Sequence, residues 1–239
     1  MPDDTLPTPE RVLVVAAHPD DIEFGAAGTV ARWAAEGATI HYLLVTRGDK
    51  GSDDPTADVG ELVRIREAEQ RAAARELGVE AVEFLDEPDG QVEPSLALRE
   101  RITHAIRAFR PEVVMTHDPT VLFVNNEWVN HPDHRAVGQA TVDAVFPTAR
   151  DPLNFRGHLD EGLQAWKVAE LYLWSTNEAN QLVDIGDTIE RKVAALGRHA
   201  SQFRAFDDVA RWVRRRSEEL GERAGYRAAE GFRRVSLAR

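Results

Sequence analysis

Short runs of apolar residues recur along the chain, separated by stretches in which apolar positions return every three or four residues. The runs are RVLVVAA (11–17), TIHYLLVT (39–46), VEAVEFL (79–85), EVVMTH (112–117) and VAELYLW (168–174). Most are continuous rather than alternating, the pattern of strands covered on both faces. Between them, Leu98, Ile102, Ala105, Ile106 and Phe109 form one helical stripe, and Ile189, Val193, Leu196, Ala200 and Phe203 form another. Asp187 and Glu190 stand at capping-box spacing ahead of the second stripe, and RAVGQATVDAV (135–145) predicts a further helix.

Strand and helix therefore alternate, which predicts a single α/β domain over 1–239, Rossmann-like, with a mostly parallel sheet and helices on both faces. The acidic, proline-bearing residues 1–10 predict a flexible leader. Residues 205–239 predict a helical extension that offers an oligomer interface or a lid. The stretch TVLFVNNEWVN (120–130) fits no element pattern.

In open parallel sheets, ligands sit beyond the carboxyl ends of the strands. Three strand ends carry reactive tails: HPDD (18–21), TRGDKGSDDP (46–55) and THDPT (116–120). Adjacent carboxylates such as Asp20 and Asp21 cost energy unless a cation or a chemical task separates them. A second cluster, NHPDHR (130–135), repeats the His-Pro-Asp element ahead of a predicted helix. On a tight turn His18 and Asp21 can face one point, and His134 completes a His/Asp/His set. Such nitrogen and oxygen donors suit zinc and leave room for water. Asp20 is then free to act as general base beside that water. Either cluster alone fits helix capping equally well, with aspartate before the helix and proline in its first turn. Both together favour the metal site.

Composition narrows the chemistry. The 239 residues contain no cysteine, which excludes disulfides, thiolate zinc sites and cysteine nucleophiles. A net charge of −12, from 29 basic and 41 acidic residues, argues against nonspecific nucleic-acid binding. The basic run RWVRRR (211–216) is followed by Glu218, Glu219 and Glu222 and flanked by Val209, Val213 and Leu220, as in an amphipathic helix. No apolar run is long enough for a signal h-region or a membrane span, so a soluble cytoplasmic protein is expected. The glycines of EFGAAGTV lack a full dinucleotide-loop pattern and instead let the first helix pack close to the sheet.

The elements VVAAHPDDIEFGAAGTVARWAAEG, LLVTRGDKG, IREAEQRAAARELGV, EPDGQV, PEVVMTHDP, NHPDHRAVGQATVDA and KVAALGRHASQ span residues 11–202. In that order they resemble the PIG-L/LmbE-like metal-dependent N-deacetylases, which remove acetyl from N-acetylglucosaminyl compounds. The resemblance implies one metal per chain, normally Zn2+, on His18, Asp21 and His134, with Asp20 as general base. It implies a protonated His131 that stabilises the oxyanion or passes a proton, with Asp133 orienting it. Arg66 and Asp89 would contact a small N-acetylated amino-sugar substrate. Neither nucleic acid nor membrane is implied as a partner, and homo-oligomers are common in the family. His117 and Asp118, at the end of the fourth predicted strand, are placed behind the ligands, which usually need such support. His41, His104 and His199 read as structural, and Arg47 and Lys50 as solvated loop charges. Two other classes compete: a 2-His-1-carboxylate iron oxygenase and a metal-bearing sugar-binding protein without turnover. The spare carboxylate of Asp20 counts against both.

Overall fold

The structure is a computed structural model that describes residues 7–79 and 81–237, so most of the expected leader (1–10) lies outside the described residues. The first half of the chain runs β1 (Arg11–Ala16), α1 (Asp21–Gly25), α2 (Ala27–Ala35), β2 (Thr39–Thr46), α3 (Val59–Glu76), β3 (Ala81–Glu87), α4 (Leu96–Phe109) and β4 (Val113–His117). A small hairpin follows, β5 (Phe123–Val124) and β6 (Trp128–Val129), then α5 (Pro132–Asp143) and α6 (Gly157–Asp160). The chain closes with β7 (Glu170–Trp174), β8 (Gln181–Asp184), α7 (Ile189–Leu196), α8 (Phe206–Glu222) and β9 (Ala229–Ser236).

Seven strands make one sheet in the order β3-β2-β1-β4-β7-β9-β8. β1, β2, β3, β4 and β7 pair in parallel, while β9 runs antiparallel to both neighbours. Because successive side chains of a strand point to opposite faces, β1 feeds two cores. Val12, Val14 and Ala16 pack with α1 and α2 on one face; Leu13, Val15 and Ala17 pack with α4 and α5 on the other. A third cluster joins Ile185, Ile189, Val193 and Leu196 to Ala210 and Val213 of α8. Sheet order reverses at β1, with β2 on one side and β4 on the other, and the crevice there is where α/β sheets bind ligands. The tails HPDD and THDPT open into that crevice.

All five predicted strands are present. Gly25 and Gly28 allow the close packing expected of them. A Cβ on Gly25 would lie 2.6 Å from the Trp174 ring of β7, and one on Gly28 would lie 2.7 Å from Ile185. Three expectations change. The stripe from Ile189 to Phe203 is not one helix: α7 stops at Leu196, because Gly197 packs against Phe206 and the chain then turns inward at His199. Asp187 does not cap α7, whose flanking residue is Thr188. The helical extension 205–239 holds only through α8, and β9 is inserted between β7 and β8. The basic residues of α8 are engaged with acidic or aromatic groups: Arg211 with Asp208, Arg214 with Glu190, Arg215 with Glu219, and Arg216 over the Trp212 ring. No described helix is long and apolar enough to cross a membrane.

Candidate metal and catalytic centre

The turn after β1 explains the paired carboxylates. Asp20 adopts φ 91° and ψ −23°, the left-handed region that non-glycine residues seldom occupy. This one conformation sends neighbouring side chains in different directions. Asp21, opening α1, faces histidines: its Oδ1 lies 3.0 Å from His134 Nε2, and its Oδ2 lies 3.3 Å from His18 Nδ1 and 3.4 Å from His117 Nε2. Asp20 faces Arg66 of α3, whose guanidinium is 3.2 Å from Asp20 Oδ2 and also donates to the Pro19 and Gly48 carbonyls.

The three expected ligands, His18, Asp21 and His134, therefore meet. Donor atoms of His18, His131 and His134 lie within 4.8 Å of one another, as do those of Asp21, His117 and His134. His117 is held for another task. The Trp174 Nε1–H can only donate, so His117 Nδ1 accepts it at 3.1 Å and the ring proton sits on Nε2, toward Asp21. The Ala17 amide, 3.2 Å from Nε2, is then a packing contact. His117 thus presents its Nε2–H to Asp21 Oδ2, 3.4 Å away. Asp118 does not join it: its Oδ1 accepts from the Thr120 amide and hydroxyl and closes a local turn.

Asp133 differs from the expectation that it orients His131. Its carboxylate accepts from the Gly90 and Val92 amides and lies 3.2 Å from His18 Nε2, while His131 Nδ1 accepts only the Asp133 backbone N–H. Asp89, expected at the substrate, lies 3.1 Å from the same His18 nitrogen. Arg66, also expected there, is 4% exposed and directed at Asp20. Lys50 is held by the Asp89 carbonyl, and Arg47 by Glu67 and Asp86. His41 stacks on Phe109 and His104 pairs with Glu161, consistent with structural roles.

Charge is concentrated here. Burial opposes a proton on His18, but Asp21, Asp133 and Asp89 outweigh it and push its pKa up to about 12. Burial likewise opposes ionisation of Asp21, yet His134, His117 and His18 hold its carboxyl well below the usual range. Asp20 behaves differently: burial raises it, Arg66 opposes, Asp21 adds to the rise, and its pKa stands at about 6. Burial, then His134, depress His117 to about 4. His131 is also lowered, by burial first and by His18 next, which disfavours the imidazolium that the resemblance implies. With Nδ1 accepting, its proton is on Nε2.

Residues 13–145 match the family PIG-L, GlcNAc-PI de-N-acetylase. The chain belongs to the PIG-L family. A diacetylchitobiose deacetylase from Thermococcus kodakarensis is 32% identical over 94% of this chain and 82% of its own length. A 1D-myo-inositol 2-acetamido-2-deoxy-α-D-glucopyranoside deacetylase from Rhodococcus erythropolis is 29% identical, covering 81% of each. Among solved structures, an N,N'-diacetylchitobiose deacetylase from Pyrococcus horikoshii superposes with a TM-score of 0.88 at 30% identity. It covers 95% of this chain and 84% of that one. The protein is an enzyme of the deacetylase class.

Two residues of this PIG-L centre escape a reading of the sequence. Asn130 is buried; its Oδ1 pairs with His134 Nδ1 at 3.1 Å, and its Nδ2 donates to the Val121 carbonyl. An amide oxygen at Nδ1 leaves the His134 Nε2 lone pair facing Asp21, the arrangement a ligating histidine needs. Its position directly before HPDH was the available signal. The second is Trp174, at the end of β7, which sets the His117 tautomer across 57 residues. The unplaced stretch 120–130 is the β5–β6 hairpin, with Asn125 and Asn126 at positive φ in its turn.

Proposed function

We propose that this PIG-L enzyme is a zinc-dependent N-deacetylase of N-acetylglucosamine-type amino sugars or their conjugates, with Asp20 as general base. The observation that carries the reading is the division of labour at the β1 turn. Asp21 lies among imidazoles, while its neighbour Asp20 stays outside that set, half-buried against one arginine, with a pKa of about 6. A base poised near the operating pH is the efficient choice.

The donor set fits the metal. His18, Asp21 and His134 supply two imidazole nitrogens and a carboxylate, the ligand type of a catalytic zinc site with an open position. The negative charge that raises His18 is the field that draws a divalent cation. When bound, Zn2+ acidifies a water and polarises the acetyl carbonyl.

The chain's own groups then divide the work. Asp20 accepts the proton of the attacking water at the oxygen not paired with Arg66. The His131 Nε2–H donates to the oxyanion that develops on the acetyl carbonyl; removing such a donor costs about 100- to 1000-fold in rate. As the C–N bond breaks, Asp20 returns its proton to the departing nitrogen, and acetate and the free amine result. Asp133 and Asp89 hold His18 rather than His131. The relatives' named substrates share a 2-acetamido-2-deoxyglucose unit, which supports that unit as the reacting part here.

The test combines elemental analysis with amine release from N-acetylglucosamine, N,N'-diacetylchitobiose and an N-acetylglucosaminyl inositol. About one zinc per chain, lost in His134→Ala, with amine released by the wild type and abolished by chelation, is expected. A folded wild type that takes up no zinc, or that leaves all three substrates intact, overturns the reading.

A further inference from the structure

Behind Asp20 lies a buried polar chain that the proposed mechanism does not use. Gln70 of α3, fully buried, accepts the Asp20 backbone N–H at its Oε1, 3.0 Å away. Its Nε2 donates to Glu23 Oε1 at 3.0 Å. Glu23, in α1, is itself fully buried, and its Oε2 lies 3.3 Å from Nε2 of the equally buried His199. Three distant segments, α1, α3 and the turn after α7, thus converge on one backbone amide.

We propose that Gln70 is a positioning residue for Asp20, its amide oriented by the Glu23–His199 pair so that its oxygen holds the base in the left-handed turn. This rests on Asp20 being the general base.

The polarity of the chain permits one arrangement. A carboxylate accepts and cannot donate, so Glu23 fixes the amide NH2 toward itself and the carbonyl toward Asp20. His199 Nε2 stands beside the other Glu23 oxygen; burial opposes a proton on its ring, but Glu23 outweighs it and raises its pKa. Arg66 and Gln70 are four residues apart, on one face of α3. Arg66 holds the Asp20 carboxylate, and Gln70 holds its backbone. The Gln70 bond joins the Phe24 N–H bond to the Asp20 carbonyl and the Arg66 bond to the Pro19 carbonyl in holding φ at 91°, a value a non-glycine residue keeps only when its surroundings over-determine it. None of the three side chains needs to touch substrate.

The experiment reverses the polarity and then restores it. Gln70→Glu sets two carboxylates face to face. The double variant Gln70→Glu/Glu23→Gln rebuilds the chain with donor and acceptor exchanged between residues 70 and 23 alone: the new Gln amide donates to residue 70, which still accepts the Asp20 N–H, and its oxygen still faces His199. Zinc content, the kcat and KM for N,N'-diacetylchitobiose, and hydrogen exchange at the Asp20 amide are measured for wild type, both variants and Asp20→Asn. Gln70→Glu should keep its zinc and its KM, lose about 100-fold in kcat, the scale of a small misplacement at a reacting group, and exchange faster at Asp20. The double variant should recover at least about tenfold of that loss and regain protection, because geometry rather than identity is restored. Wild-type kcat in Gln70→Glu, or a double variant that binds zinc and folds yet stays as slow as the single one, overturns the proposal. Turnover retained in Asp20→Asn instead removes the general-base reading on which it rests.

Discussion

Replacing Arg66 by methionine should move the acid limb of the deacetylation rate to higher pH. As the proposed base, Asp20 must be ionised to accept a proton. Burial lifts its pKa to about 6, and the Arg66 guanidinium at 3.2 Å is the largest influence in the opposite direction. Deleting that cation leaves burial and Asp21 opposed only by the smaller influences of His199 and His18, so the pKa rises. A contacting guanidinium lowers a carboxyl by about one to three units, so removing it should move the limb up by about that much. Well below both limbs, a two-unit move cuts the ionised fraction of Asp20 about 100-fold. A bound metal contributes the same field to both proteins and cancels in the difference. The assay is kcat for amine release from pH 5 to 9.5, with Arg66→Lys beside Arg66→Met. Lysine keeps the charge and loses the guanidinium's added bonds to the Pro19 and Gly48 carbonyls, so its limb should stay near that of the wild type. Arg66→Met should approach wild-type kcat once the pH exceeds its new limb. A limb that stays in place while KM rises would refute this reasoning and return Arg66 to the substrate, the role its motif implies.

Asp20→Asn should keep its zinc and lose between about 100- and 10,000-fold in kcat, measured by amine release beside elemental analysis. Asn130→Ala removes the amide oxygen from His134 Nδ1; zinc should bind about 10- to 100-fold more weakly in competition with a chelator. Glu230 of β9 accepts from the Gly28 and Thr29 amides and the Thr29 hydroxyl, and pairs with buried Lys192 at 2.6 Å. Glu230→Ala strands that cation and should cost about 3–5 kcal/mol in urea unfolding, with Lys192→Met added to relieve much of it. A loss below about 1 kcal/mol would show that the pair is hydrated.

The centre was legible in the sequence wherever its parts are local. HPDD follows directly on β1 and HPDH opens α5, so adjacency alone placed His18, Asp20, Asp21, His131 and His134 at strand and helix ends. The five apolar runs were legible for the same reason: a strand buried on both faces carries its environment in its own composition. Roles that depend on which elements lie side by side were not. Asp133 sits two residues from His131, yet its carboxylate turns to His18 because the loop after β3 brings the Gly90 and Val92 amides to it. β9 carries Arg233 and Arg234 and resembles no core strand; burial by β7 and β8 makes it one. His117 reaches Asp21 across 96 residues because β4, not β2, lies beside β1 on the crevice side. The chemical groups and their local turns are properties of short segments, set by sterics within a few residues. The proton each group holds, and the partner that holds it there, follow from long-range packing, where burial and neighbouring charges decide the electrostatics.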